Sequence, residues 1–309
     1  MQSDHLHHLL KSTNLFLHSL QQPSFYSATF CMLSSSSVSN KTHLPIVVYL
    51  PFVKIDLCEI YQKKLKEFLL FLLQRTTTLT LIFDLHHSNS TESPVTISFV
   101  QIYLHLHFFY SKCQLISTAL QNPLLNVTIL YQPFCSGFST NNCIVFNLLD
   151  QNQSFSQLNK TTSNSLQEKL YSLYHSTFSA IPVHRSCDIH FEALCKFTVV
   201  AVGGTFDHLH SGHKILLSVA SLLCKKRLLI GVSEAHLLQS KQYLSQIQHF
   251  SERKETILSF VQRFRHNLQV DVFPLIDVYG PTITMPEIEC IVVSKETRKG
   301  AEESKKLFG

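Results

Sequence analysis

Apolar residues in the last third of the chain form short runs separated by helical patterns. Four runs are nearly continuous and rich in β-branched residues: Phe197–Gly203, Arg227–Ser233, Leu268–Leu275 and Cys290–Ser294. Such runs are typical of strands buried on both faces of a parallel sheet. Helices are predicted between them, at Gly212–Cys224 with Asp207 or Ser211 as the cap, and at Glu252–His266 with Ser251 as the cap. This alternation predicts βαβ units whose ligands bind beyond the carboxyl ends of the strands.

The preceding part of the chain alternates in a similar but less regular way. Strands are predicted at Leu44–Leu50, Leu79–Leu85, Val95–Phe109, Leu125–Tyr131 and Cys143–Leu149, and helices at Asp56–Gln74 and Ser165–Ser176. The pattern predicts an α/β or α+β domain. Its histidine pairs, in "LHH" and "LHLHFF", are expected on half-exposed surface, because a metal site needs several converging ligands.

Charge density changes along the chain and suggests a domain boundary near residues 185–196. We therefore predict a mobile segment at 1–43, which includes "LSSSSVSN", an N-terminal domain at 44–190 and a C-terminal domain at 196–309. With 309 residues, of which 45% are hydrophobic, the chain can build two cores. The net charge of +5 is too small to indicate nucleic-acid binding.

Cysteine usage and the first residues of the chain bear on its location. The nine cysteines include no C-x-x-C pair, so neither a disulfide framework nor a zinc site is indicated. The start lacks the pattern of a secretory signal, and no apolar run approaches the roughly 20 residues of a spanning helix. We expect a cytoplasmic protein with reduced thiols and no membrane partner.

The stretch "VVAVGGTFDHLHSGHKILL", Val199–Leu217, concentrates the chemistry of the C-terminal part. Gly203 and Gly204 let the backbone turn sharply and approach a ligand closely. His210 and His213 lie three residues apart, on one face at the start of the predicted helix. The free N–H groups and the positive dipole end of a first helical turn favour an anion. Two imidazoles that donate hydrogen bonds there predict a polyphosphate site.

Nucleotidyl transfer is the reaction that suits this arrangement. Negative charge develops on the α-phosphate oxygens during the transfer, and donors already in place lower the barrier. Positioning and electrostatics can supply most of the rate, since no covalent nucleophile is required. A lone histidine near a helix start is usually a cap or a surface group. The full series of buried strand, G-G-T-F-D, H-x-G-H and apolar helix favours function over a purely structural role.

"GGTFDHLHSGHKILL" resembles the first signature of the H-x-G-H nucleotidyltransferase superfamily. From about Phe197 to Gly309 the chain is similar to eukaryotic, fungal-type phosphopantetheine adenylyltransferases, also through Leu237–Val261, Val272–Thr282 and Cys290–Glu302. The resemblance implies a Rossmann-like parallel sheet and transfer of adenylyl from ATP to 4′-phosphopantetheine, giving dephospho-coenzyme A and pyrophosphate. It implies Mg²⁺ with the ATP and other enzymes of coenzyme A biosynthesis as partners.

The resemblance also implies site residues. His213 would stabilise the transition state, with His210 beside it, and Lys241 would neutralise charge on both substrates. The substrate- and nucleotide-binding residues that it implies are Gly203, Gly204, Thr205, Phe206, Gly212, Arg298 and Gly300. No protein-held metal is expected. Arg253 lies on a helix face and is open to two interpretations, a surface residue or a site residue.

One part of the family pattern is missing. The second signature, an S-S-x-x-x-R segment that holds the β- and γ-phosphates, has no counterpart after "SKETRKG", so we expect the C-terminal domain to be truncated. The activity of the chain stays open for that reason. Two alternatives remain: a cytidylyltransferase acting on a phosphoalcohol, and an inactive homologue in which the N-terminal half binds or scaffolds a partner.

Overall fold

A computed structural model describes the chain at residues 44–52, 59–85, 97–122, 125–132, 134–135, 143–148, 164–178, 194–234, 237, 244–277, 280, 284–294 and 297–298. The predicted mobile segment at 1–43 lies outside these residues, and so do Lys241 and Gly300. Within the described residues, no helix is both long and apolar enough to cross a membrane.

The described strands form two sheets, and the first contains four parallel strands in the order β3-β2-β1-β4. The strands are β1 (Ile46–Pro51), β2 (Thr78–Asp84), β3 (Asn126–Gln132) and β4 (Ile144–Asn147). Helix α1 (Glu59–Leu73) follows β1, α2 (Phe99–Ala119) follows β2, and α3 (Asn164–Phe178) follows β4. All inner residues of β2 and β3 are buried, as in sheets that helices cover on both faces. This half is therefore α/β.

The predicted strand at Val95–Phe109 is wrong, because Phe99–Ala119 form the 21-residue helix α2. Ser98 caps this helix: its side chain accepts from the Gln101 N–H, and the Gln101 side chain accepts from the Ser98 N–H. Such a reciprocal capping box stabilises a helix start. Buried residues then recur at helical spacing along α2. The alternation of the sequence was misleading because much of the helix surface is apolar.

His105 lies inside the first core rather than on a half-exposed surface, so that prediction is wrong for this residue. Its side chain is 1% exposed, and its Nδ1 atom lies 2.9 Å from the Tyr131 hydroxyl oxygen. The rings of Phe52 and Phe83 pack on it, with centroids 4.6 and 4.3 Å away. Burial lowers the pKa of His105 to about 3. His107 is exposed on the same helix, and the pair in "LHH" lies outside the described residues.

The second sheet is also parallel, in the order β7-β6-β5-β8. Its strands are β5 (Phe197–Gly204), β6 (Cys224–Ser233), β7 (Gln269–Leu275) and β8 (Cys290–Val292). Helix α4 (Ser211–Leu223) joins β5 to β6, while a 3₁₀ turn (Leu244–Gln246) and helix α5 (Phe250–Phe264) precede β7. These elements confirm the four predicted strands, the two predicted helices and the Rossmann-like parallel sheet of the C-terminal part.

The helix caps of the second sheet differ from the predicted ones. Helix α4 is capped by His210, and neither Asp207 nor Ser211 has that role. Helix α5 begins after His249, which places the predicted cap Ser251 inside the first turn. The sequence favoured the residue types that usually cap helices, whereas here an imidazole nitrogen accepts the helix N–H of α4.

Both sheets belong to one compact unit, Lys41–Gly309. Helix α2 of the first half packs against α4 of the second, and α5 packs against β3. A continuous apolar core crosses this boundary, where the rings of Tyr131 and Phe264 meet edge to face at 6.3 Å. The predicted division into domains 44–190 and 196–309 puts one sheet in each part and stays a prediction.

Candidate active site at the carboxyl end of the second sheet

The predicted site lies where β5 ends, at an inner position of the second sheet. β5 pairs with β6 on one side and with β8 on the other. The chain runs outward from β5 through β6 to β7 and then crosses to β8, so the strand order reverses beside β5. Such a switch point opens a crevice at the carboxyl ends of the strands, where α/β proteins bind nucleotides. Gly203 and Gly204 end β5 at this point. A Cβ atom on Gly204 would lie 3.3 Å from the ring of Phe206, so glycine lets this ring pack closely without being displaced.

The loop after β5 is held in an uncommon backbone conformation. Phe206 and His208 have φ angles of +52° and +41°, which non-glycine residues seldom adopt unless their surroundings enforce it. The His208 N–H donates to Gln248 Oε1 at 2.8 Å, and the Asp207 carboxylate accepts from the Gln248 N–H at 2.9 Å. Phe206 is buried, and its ring packs 5.3 Å from that of His213. These contacts fix the loop against the segment that precedes α5.

The two histidines of H-x-G-H form a stacked pair at the start of α4. His210 Nδ1 accepts from the Gly212 N–H at 3.2 Å, which leaves Nε2–H as the donor of the neutral ring. The rings of His210 and His213 lie 3.7 Å apart and 22° from parallel. A Cβ atom on Gly212 would lie 3.1 Å from His210 Cε1, so glycine leaves room for the capping ring. The pair therefore presents imidazoles where a helix start favours an anion.

Arg253 of α5 connects three segments around this site. It is 3% exposed, so the interpretation as a surface residue is wrong. Its Nε donates to the Gln248 carbonyl at 3.0 Å, and its Nη1 donates to the carbonyls of Thr205 and Ser233 at 2.8 and 3.0 Å. The three carbonyls belong to the segment before α5, the loop after β5 and the end of β6. One guanidinium thus organises the backbone at the carboxyl end of the sheet.

The segment that contains this site is similar to known proteins. A family profile described as "Cytidylyltransferase-like" matches residues 201–307. The phosphopantetheine adenylyltransferase of Saccharomyces cerevisiae is 49% identical over 107 residues, which are 35% of each chain. An uncharacterised protein of Schizosaccharomyces pombe is 41% identical over 103 residues, 33% of each chain. The phosphopantetheine adenylyltransferase of Methanopyrus kandleri is 40% identical over 114 residues, which are 37% of this chain and 71% of the relative.

The chain belongs to the phosphopantetheine adenylyltransferase family. The match covers most of the archaeal relative, but only about a third of the length of the two fungal relatives. The profile match begins within β5, so the first sheet lies outside it. Family membership therefore concerns the second sheet and the loops at its carboxyl end.

Most residues that the family resemblance implies come together in one strand–loop–helix segment: Gly203, Gly204, Thr205, Phe206, His210, Gly212 and His213. Arg298 is exposed in the segment that follows β8. Because β8 is the parallel neighbour of β5, both strands end at the same edge of the sheet. The structure describes neither Lys241 nor Gly300. The chemical role of each residue stays a prediction.

Sequence reasoning assigned no role to Lys214 and left that of Arg253 open, although both are buried beside the site. A signal was present in both cases. Lys214 lies three residues before the buried Leu217, and Arg253 lies four residues before the buried Ile257. Each cation thus falls on the apolar stripe of its helix, where solvated residues do not belong.

Proposed function

We propose that this chain transfers the adenylyl group of ATP to 4′-phosphopantetheine. The observation that carries the proposal is the stacked pair of His210 and His213 at the glycine end of β5. The same segment has relatives named phosphopantetheine adenylyltransferase. A phosphate oxygen of 4′-phosphopantetheine attacks the α-phosphorus of ATP and forms the new bond. The bond from the α-phosphorus to the bridging oxygen breaks, and pyrophosphate leaves with the electron pair.

The residues at the start of α4 act on the phosphates. Free N–H groups of the first turn and the helix dipole attract the phosphate oxygens. His210 and His213 donate hydrogen bonds to the α-phosphate, where negative charge grows in the transition state. The Thr205 hydroxyl contacts the attacking phosphate. A phosphate monoester is already ionised near neutral pH, so no general base is required.

Other expected participants belong to the same proposal. Lys241 would neutralise charge on both substrates, and Arg298 and Gly300 would contact the nucleotide. Among the described residues, no group of three or more His, Cys, Asp or Glu is arranged to hold a metal ion. We propose that magnesium enters with the ATP substrate, where it neutralises phosphate charge. The cytoplasm and an association with other coenzyme A biosynthesis enzymes remain proposals as well.

The test is turnover by the purified chain. With magnesium, ATP and 4′-phosphopantetheine, we expect pyrophosphate release and dephospho-coenzyme A detected by mass spectrometry. A parallel reaction contains CTP and phosphocholine. Turnover of CTP without dephospho-coenzyme A would support the cytidylyltransferase alternative. If calorimetry detects no binding of ATP or of 4′-phosphopantetheine, the inactive homologue with a scaffold role is favoured.

A further inference from the structure

Lys214 connects the helix start of the H-x-G-H motif to the first sheet. It follows His213 directly and is 5% exposed. Its Nζ atom donates to Asn126 Oδ1 and to the Val127 carbonyl oxygen, both at 2.6 Å. Both acceptors lie at the start of β3. Charge-assisted hydrogen bonds of this length are stronger than those between neutral groups.

The backbone of α4 links Lys214 to the two histidines. The Lys214 N–H donates to the His210 carbonyl at 3.0 Å, so the residue held by the first sheet also holds the capping residue. Next to it, the Ser211 hydroxyl donates to Gln114 Oε1 of α2 at 3.4 Å. Two elements of the first half, β3 and α2, thus contact the first turn of α4.

A buried lysine is a costly way to fill this interface. Burial, together with the nearby charge of Arg263, lowers the pKa of Lys214 to about 8. An apolar residue would avoid the desolvation cost, since buried ions seldom stabilise a fold more than well-packed apolar groups do. A directional donor with two acceptors does something that an apolar residue cannot, because it fixes one register between α4 and β3.

We propose that the first sheet positions the His210–His213 pair through Lys214. The proposal rests on the adenylyl transfer proposed above and gives the first half of the chain a part in it. Lys214 is a positioning residue, because its side chain contacts the first sheet and acts on the histidines through α4. A small displacement of a transition-state donor lowers the rate of the chemical step more than it weakens substrate binding.

The first experiment replaces the ammonium by a side chain of similar length, Lys214→Met, in the full chain. We expect kcat for dephospho-coenzyme A formation to fall about tenfold or more, while KM for ATP changes by less than about threefold. Unchanged kcat in the folded variant would overturn the proposal. Urea unfolding establishes that each variant is folded under the assay conditions.

A matched pair at Asn126 keeps the proposal testable if Lys214→Met does not fold. Asn126→Asp retains an oxygen that accepts from Lys214, whereas Asn126→Leu has a similar size and no acceptor. We expect Asp to preserve kcat and Leu to lower it severalfold. Equal kcat in the two variants contradicts a positioning role, because a space-filling role does not depend on the acceptor.

A third measurement separates this proposal from the proposed function. If the parent chain forms no dephospho-coenzyme A, the adenylyl transfer is wrong, and the positioning is judged without activity. Hydrogen exchange read by mass spectrometry should then be faster in Asn126→Leu than in Asn126→Asp for the peptide covering 205–217. The peptide covering α5 serves as the internal control. Equal exchange of the 205–217 peptide in both variants rejects the connection itself.

Discussion

The imidazole of His213 lies against that of His210, with 3.7 Å between ring centroids. The Nδ1 atom of His210 accepts from the Gly212 N–H, and the Phe206 ring packs against the ring of His213. The two imidazoles are therefore supported as a unit, and a change at one of them alters the placement of the other. This coupling shapes the predictions for the site.

Replacing His213 by alanine should remove a transition-state donor without unfolding the chain. We expect kcat for pyrophosphate release to fall about 10²- to 10³-fold, the usual loss for one such donor. The side chain is only half-buried, so the thermal midpoint should change little. His107→Ala, at an exposed position of α2, is the control and should keep full activity. Near-normal turnover of His213→Ala would remove His213 from the mechanism.

Gly212→Ala tests the space beside the capping ring. The new methyl group would lie 3.1 Å from His210 Cε1 and 3.2 Å from Nδ1, so the ring must move by a few tenths of an ångström. We expect kcat to fall roughly tenfold, because small misplacements of catalytic groups are costly. Stability should stay within about 1 kcal/mol, since alanine favours helix while the cap weakens. Steady-state kinetics and urea unfolding measure both, and full activity would contradict the stacked arrangement.

Arg253→Met should destabilise the chain by about 3 kcal/mol, because three partly buried carbonyls lose a charged donor. The activity should fall as well, since the Thr205 carbonyl is one of the three. Lys254→Met changes a neighbouring cation whose side chain is only half-buried, and it serves as the matched control. Urea unfolding of the two variants gives the comparison. Similar decreases in the free energy of unfolding of both variants would show that the three hydrogen bonds of Arg253 do not stabilise the chain.

His105 predicts a pH dependence of stability. Its pKa is about 3 in the folded chain, whereas an unfolded histidine has a pKa of about 6.5. Below pH 6.5 the unfolded chain therefore binds a proton that the folded chain does not, and the free energy of unfolding decreases as the pH falls. The change is about 1.4 kcal/mol per pH unit between the two pKa values, and the effect is absent above pH 6.5 or so.

The His105→Phe variant isolates this contribution, because phenylalanine fills the same space and does not titrate. Between pH 7 and pH 5, the parent should lose about 2 kcal/mol more than the variant in urea unfolding. Equal losses in the two proteins would mean that folding does not lower the pKa of His105. Both pH values lie above the usual carboxylate range, so Asp and Glu contribute little to the difference.

The inner strands of the second sheet could be predicted because β5 and β6 are buried along most of their length, and such burial produces continuous apolar runs. The half-buried strands β7 and β8 show the same apolar, β-branched pattern. Hydrophobic alternation was the wrong guide at α2, where an apolar helix imitated an alternating strand. Its capping box at Ser98 and Gln101 was nevertheless visible as S-x-x-Q. Local hydrogen-bonding chemistry was the better guide there than hydrophobic alternation.

The contacts between the two halves of the chain could not be predicted from the sequence. Lys214 and Asn126 are 88 positions apart, and no periodic pattern specifies which helix faces which strand. The burial of Lys214 could be read from its place on the apolar stripe of α4, but its acceptors could not. Likewise, the imidazole cap of α4 depends on a ring orientation that composition does not encode.

Helix α4 ends at Leu223, and β6 begins at Cys224 without a connecting loop. The 13 residues of the helix span about 20 Å, so the histidines at its N-terminal end lie about 20 Å from its direct join to β6. A helix joined to a strand in this way cannot rotate towards a substrate independently of the sheet. We therefore expect the histidine end of α4 to stay in place during the proposed adenylyl transfer, so that the phosphates come to the histidines.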